Sequence, residues 1–242
     1  MPDSSKFRAS ANRPLLCYVT DSQTLVPGPS TETLPALLQK IATIATAGVD
    51  WIQIREKQIS VAQLSSLTRQ ALGIAKENNR TTASQTESSP ATCILINDRL
   101  DVALAENAGG VHLGEDSLPV KEAKQLPRSL SAPPTNSDFL VGVSCHSISS
   151  ARQAANDGAD YIFFGPIFAT PSKAAYGPPQ GLQRLSEVCA AIPVPVLAIG
   201  GITVANAASC LTVGAAGIAA IRLFQDSSGI DETVNVLRSI RL

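Results

Sequence analysis

AGVDWIQI (residues 47–54) and DGADYIFF (residues 157–164) are one phrase written twice: a glycine suited to end a helix, a short connection, then a run of large apolar side chains. Glycine accepts the left-handed backbone that closes many helices. A connection this short is the usual length of a helix-to-strand link. Similar apolar runs lie on either side of these two: LLCYVTD (15–21), DWIQIREK (50–57), TCILINDR (92–99), GVHLGED (110–116), FLVGVSCHS (139–147), YIFFGPIF (161–168), VPVLAIGG (194–201) and AGIAAIRLF (216–224). Near-continuous apolar runs, rather than alternation, are the pattern of parallel strands covered on both faces.

Helix-like stretches separate these runs, at 34–48, 60–78, 149–158, 182–191 and 204–214, and Gly48, Gly158 and Gly214 stand at helix ends. Alternating strands and helices allow an open doubly wound sheet or a closed barrel. Eight units favour closure, and no GxGxxG turn follows the first run to argue for a dinucleotide fold. The expectation is an α/β fold, a single (β/α)8 TIM barrel over residues 14–242 behind a disordered lead-in over 1–13. Two Ser/Thr/Pro-rich stretches, 79–91 and 128–138, are read as surface insertions at the N-terminal end of the barrel.

The composition excludes several classes of function. With 19 Lys and Arg against 20 Asp and Glu the net charge is −1, so no basic field exists to hold nucleic acid or an anionic membrane. No run of ~18 apolar residues offers a membrane span, and residues 1–13 lack the apolar core of a secretory signal. Cys17, Cys93, Cys145, Cys189 and Cys210 are odd in number and scattered, which argues against a disulfide framework or a zinc site and for the reducing cytoplasm. The expected partners are phosphorylated small molecules; a homo-oligomer is left open.

Polar residues gather where each strand should end. Gln53, Arg55 and Lys57, at a spacing of two, should share one side of an extended segment and face the barrel interior; solvated charges at a surface strand end are the plain alternative. Asn97 and Asp98 end the third strand, and His112, Glu115 and Asp116 follow the fourth. Acidic groups on adjacent strand ends suit a shared Mg2+, which takes one or two protein carboxylates beside phosphate oxygens. Helix capping competes with that reading for Asp116, and less for Asp98. Ser144, His146 and Ser147 end the fifth strand. Thr170, Ser172 and Lys173 sit in the GPIFATPSK loop (165–173) after the sixth. Gly200 and Gly201, with the amides near Ala220 and Ile221 and with Gly181, fit the phosphate cup that barrels form after strands seven and eight.

Taken in order, QIREK, NDRLD, GVHLG, VSCHS, GPIFATPSK and AIGGIT resemble the thiamine phosphate synthase and thiazole tautomerase superfamily, from about residue 15 to about 224. The resemblance implies a (β/α)8 barrel that joins hydroxymethylpyrimidine diphosphate to hydroxyethylthiazole phosphate and releases pyrophosphate. It implies pyrophosphate and pyrimidine contacts from Gln53, Arg55, Lys57, Asn97, Ser144 and Lys173, and a Mg2+ ligand in Asp98. Thr170, Ser172, Gly181 and the loops after strands seven and eight would seat the thiazole phosphate. The chain departs from the pattern after strand four, where HLGEDS puts Glu115 in place of Gln and Ser117 in place of a metal-binding Asp, so that Glu115 or Asp116 would have to supply the second carboxylate. Arg222 replaces a small residue. The tautomerase branch, with His146 as acid and base, and a non-catalytic phosphate binder are the alternatives.

Overall fold

The computed structural model describes residues 13–83, 91–129, 139–170 and 178–241. Eight parallel strands close on themselves in sequence order: β1 (Leu15–Val19), β2 (Trp51–Ile54), β3 (Cys93–Asn97), β4 (Gly110–Leu113), β5 (Leu140–Cys145), β6 (Tyr161–Phe164), β7 (Val196–Ile199) and β8 (Gly217–Ala220). Around them run α1 (Ser22–Leu25), α2 (Ser30–Thr46), α3 (Val61–Ala83), α4 (Leu100–Ala105), α5 (Val120–Ser129), α6 (Ile148–Asn156), α7 (Gly181–Ala191), α8 (Val204–Thr212), α9 (Arg222–Gln225) and α10 (Ile230–Ser239). The TIM barrel expected from the apolar runs is the fold.

Parity within each strand sorts the core into two layers. Leu16, Tyr18, Ile52, Ile94, Val111 and Val141 face the helices and join the outer core. Cys17, Trp51, Leu95, Leu140, Tyr161, Leu197 and Ala219 fill the interior. The barrel interior is thus a packed core of side chains. Gly48, Gly158 and Gly214 take φ of +82°, +95° and +105°, the left-handed conformation that ends α2, α6 and α8.

One expectation needs correction. The stretch 79–91 does not begin as a loop, because α3 continues through Ala83, its early polar residues extending the helix. The rest of that stretch up to residue 90, most of 128–138, and residues 1–12 lie outside the described residues.

Candidate active site

A cavity of about 150 Å3 opens at the C-terminal mouth of the barrel. Its walls take one inward residue from each strand or from the position just after it: Val19, Gln53, Asn97, His112, Ser144, Phe163, Ile199 and Ile221. Asp21, Arg55, His146, Gly165, Pro166 and Gly200 form the rim above them. Of the polar residues singled out in the sequence, Gln53, Arg55, Asn97, His112, Ser144 and His146 therefore meet in one place.

The β2 side is a chain of amides with fixed direction. Gly114 N–H and the Ser117 hydroxyl donate to Asp98 Oδ1 at 2.9 and 2.5 Å, and Asn97 Nδ2 donates to Asp98 Oδ2 at 2.8 Å. Since the Asn97 amide nitrogen is held by the carboxylate, its oxygen turns to Gln53 and accepts from Nε2 at 2.8 Å. Gln53 Oε1 is then left buried with no partner among the described residues. A buried acceptor without a donor costs about 1–3 kcal/mol, so a ligand that brings an N–H to Gln53 Oε1 gains that hydrogen bond. Burial alone would raise the pKa of Asp98, but the Ser117 hydroxyl, the Gly114 N–H, the Asn97 amide and the charge of Lys57 outweigh it and hold the carboxyl below its usual range. Asp98 stays ionised, as the amide chain requires.

On the neighbouring strand β4, level with Asn97, His112 is buried with Nδ1 3.1 Å from the Tyr161 hydroxyl and Nε2 2.9 Å from Ser144 Oγ. Its ring lies against Phe163, centroids 4.1 Å apart. Burial pushes its pKa down to about 3, so it is neutral and serves as a hydrogen-bonding group. His146 Nδ1 donates to the Gly165 carbonyl, which fixes the orientation of its ring at the rim.

Several expected residues sit elsewhere. β2 ends at Ile54, so Lys57 falls in the following turn and is exposed rather than inside the barrel, close enough to Asp98 to lower its pKa. Glu115 and Asp116 are exposed on the turn that carries Ser117. Neither Asp98 nor Asp116 is a helix cap: Arg99 precedes α4 without a side-chain cap, and α5 starts four residues beyond Asp116. Ser147 caps α6, accepting from Ser150 N–H at 3.0 Å. Gly200 and Gly201 have φ of +92° and +68°, and a Cβ on either would lie within 2.8 Å of Pro166, Phe168 or Ala169. Their lack of a side chain lets the β6 and β7 loops pack together. The Gly181 N–H donates to the Ile167 carbonyl at 3.1 Å. Ala220 faces the helices while Ile221 faces the cavity. Arg222 is exposed and lines a separate outer groove with Asp226 and Glu232. Thr170 is half-buried; Ser172 and Lys173 lie outside the described residues.

Sequence reasoning missed Tyr161 and Glu56 and read His112 only as a strand-end polar group. Glu56 gathers the end of β1, accepting from the Thr20 hydroxyl at 2.6 Å and the Ser22 hydroxyl at 2.5 Å, while Thr20 Oγ1 accepts from the Arg55 N–H at 2.9 Å. Glu56 lies two residues beyond the end of β2 at Ile54, where the alternation of a strand no longer assigns a side, so the sequence offered no signal for it.

Residues 16–224 match the family described as Thiamine monophosphate synthase. The chain belongs to that family. Among relatives of this thiamine monophosphate synthase family member, a thiamine-phosphate synthase from Methanoculleus marisnigri is 39% identical over 80% of this chain and 82% of its own length. One from Chlorobium luteolum is 34% identical over 96% of this chain and 94% of its own. A solved thiamine phosphate pyrophosphorylase from Pyrococcus furiosus superposes with a TM-score of 0.73 at 27% identity, over 93% of this chain and 94% of that one.

Proposed function

We propose that this chain is a thiamine-phosphate synthase, a transferase that joins hydroxymethylpyrimidine diphosphate to hydroxyethylthiazole phosphate and releases pyrophosphate. The observation that carries the reading is the buried Gln53 Oε1, an acceptor held open beside cationic Arg55 in a cavity of about 150 Å3. A pocket that small suits one planar ring. An exocyclic amine on that ring would complete Gln53, and the diphosphate would lie at the rim near Arg55 and Lys57.

The chemistry asks for no protein nucleophile. The bond between the pyrimidine methylene and the diphosphate oxygen breaks, its electron pair leaving with pyrophosphate. The thiazole nitrogen lone pair then forms the new C–N bond. Arg55, Lys57 and Lys173 stabilise the negative charge that builds on the leaving group, which is where preorganised cations act most strongly. Asn97 and Gln53 orient the ring, and Ser144 contacts the pyrimidine diphosphate. Thr170, Ser172, Gly181, Gly200, Gly201 and the backbone at Ala220 and Ile221 would seat the thiazole phosphate.

Among the described residues no three His, Cys, Asp or Glu side chains gather as a metal site; Mg2+ takes only one or two protein carboxylates beside phosphate oxygens, so Asp98 and one neighbour would suffice. Asp98 is an ionised, exposed carboxylate with the Ser117 hydroxyl 2.5 Å away, and Glu115 and Asp116 are on the same turn. Asp98 would hold the ion with Glu115 or Asp116, the remaining positions going to phosphate oxygens and water. When bound, Mg2+ supplies charge neutralisation to the departing pyrophosphate. The five free cysteines support a reducing cytoplasmic setting.

Incubation with Mg2+, the pyrimidine diphosphate and the thiazole phosphate should yield thiamine phosphate and pyrophosphate in equal amounts. Isomerisation of a thiazole carboxylate phosphate, lost in His146→Ala, with no synthase product would replace this reading by the tautomerase. Phosphate-ligand binding without either reaction would leave a binder.

A further inference from the structure

Tyr161 reaches His112 across an intervening strand. Gly142 on β5 is level with His112 on one side and with Tyr161 on the other. A Cβ at Gly142 would fall 2.0 Å from Tyr161 Cζ, so the ring of Tyr161 occupies the space a side chain on β5 would take. The glycine is what allows a β6 hydroxyl to meet a β4 imidazole.

The direction of each bond in the resulting chain follows from counting protons. Tyr161 is fully buried, and His112 Nδ1 is the one acceptor its hydroxyl meets among the described residues. Its proton must go there, since a buried donor left unmade costs about 1–3 kcal/mol. Nδ1 is then an acceptor, which puts the ring proton on Nε2. Nε2–H donates to Ser144 Oγ. The Ser144 proton has no acceptor among the described residues, and Ser144 lines the cavity.

We infer that Tyr161 and His112 are positioning residues that fix Ser144 as a hydrogen-bond donor to the ligand, opposite the acceptor presented by Gln53. The ligand atom facing Ser144 is accordingly an acceptor, either an anionic phosphate oxygen or an unprotonated ring nitrogen. Only the identity of that atom rests on the synthase reading; the proton count does not.

The first test needs no activity. In protein labelled with 15N-histidine, with His146→Ala used to assign the two rings, His112 should show a protonated Nε2 and a bare Nδ1. A proton on Nδ1 overturns the inference. The second test is a double-mutant cycle on thiamine phosphate formation. Tyr161→Phe keeps the ring and should lower kcat/KM about tenfold, as one lost oriented hydrogen bond does, while Tyr161→Phe added to Ser144→Ala should cost nothing beyond Ser144→Ala alone. Multiplicative effects would mean that Tyr161 acts by packing and not through Ser144. Titration with inorganic pyrophosphate and Mg2+, and separately with the free hydroxymethylpyrimidine, identifies the acceptor by which affinity Ser144→Ala weakens; an unchanged affinity for both would refute a donor role. If Tyr161→Phe fails to fold, the wild-type spectrum still decides. If no synthase activity is found, the spectrum separates that failure from this one.

Discussion

At the N-terminal end of the barrel Asp50 accepts from the Leu16 N–H at 2.7 Å and pairs with Arg13 at 3.1 Å and Arg238 at 2.8 Å, while Arg238 also donates to the carbonyls of Pro14 and Gly48. Asp160 repeats the pattern just before β6, taking the Val141 N–H and Lys124. At the C-terminal end Gln53 Oε1 and the Ser144 proton have no such partner among the described residues. The same barrel thus satisfies its charges at one mouth and holds polar groups open at the other. The first arrangement stabilises strand ends and ties Arg13 and α10 to the sheet. The second costs stability and leaves binding energy for a ligand.

The strongest way to break this contrast is Asp50→Ala, which strands Arg238 as a charge with its side chain only 14% exposed. Urea unfolding should show a loss of about 3–5 kcal/mol, with activity per folded molecule unchanged; lost activity at full stability would mean that the two ends are not separate. Next in size is Asp98→Asn at the open end. Asn tolerates the backbone there, φ +59°, so the melting temperature should hold while kcat/KM for thiamine phosphate formation falls about 100-fold, or ~2.7 kcal/mol.

His112 sharpens the contrast through pH. Burial lowers its pKa from 6.5 to about 3, so between those values the unfolded chain binds a proton that the folded one refuses. Stability attributable to a neutral His112 is complete above about 6.5 and is lost as pH falls towards about 3. Wild type should lose about 2 kcal/mol more than His112→Gln between pH 7 and pH 5 in urea titrations; parallel losses would place the acid sensitivity elsewhere. The smallest effect belongs to Arg69→Ala, whose pair with Glu106 at 2.7 Å has the arginine 60% exposed. It should change unfolding free energy by less than about 1 kcal/mol and activity not at all.

The eight strands were legible because a parallel strand covered on both faces must be apolar at nearly every position, and ILI or YIFF says so without context. Gln53, Asn97, Ser144 and His146 were legible for the complementary reason: a polar side chain at inward parity at the end of such a run has only the mouth of the barrel to occupy. Lys57 was misplaced because parity holds only while the strand lasts, and β2 stops at Ile54. Tyr161 and His112 were not legible as a pair. They stand 49 residues apart, and their contact depends on the absent side chain of Gly142 between them.

What the linear chain determined by itself is therefore the periodic part: eight apolar runs, glycines at helix ends, and polar residues at strand termini, each set by local chemistry. Tertiary structure alone decided which amide oxygen is left without a donor and which hydroxyl is left with a proton to give. Those follow from closure of the barrel, which brings residues from different strands within hydrogen-bond distance and makes the direction of each bond depend on the next.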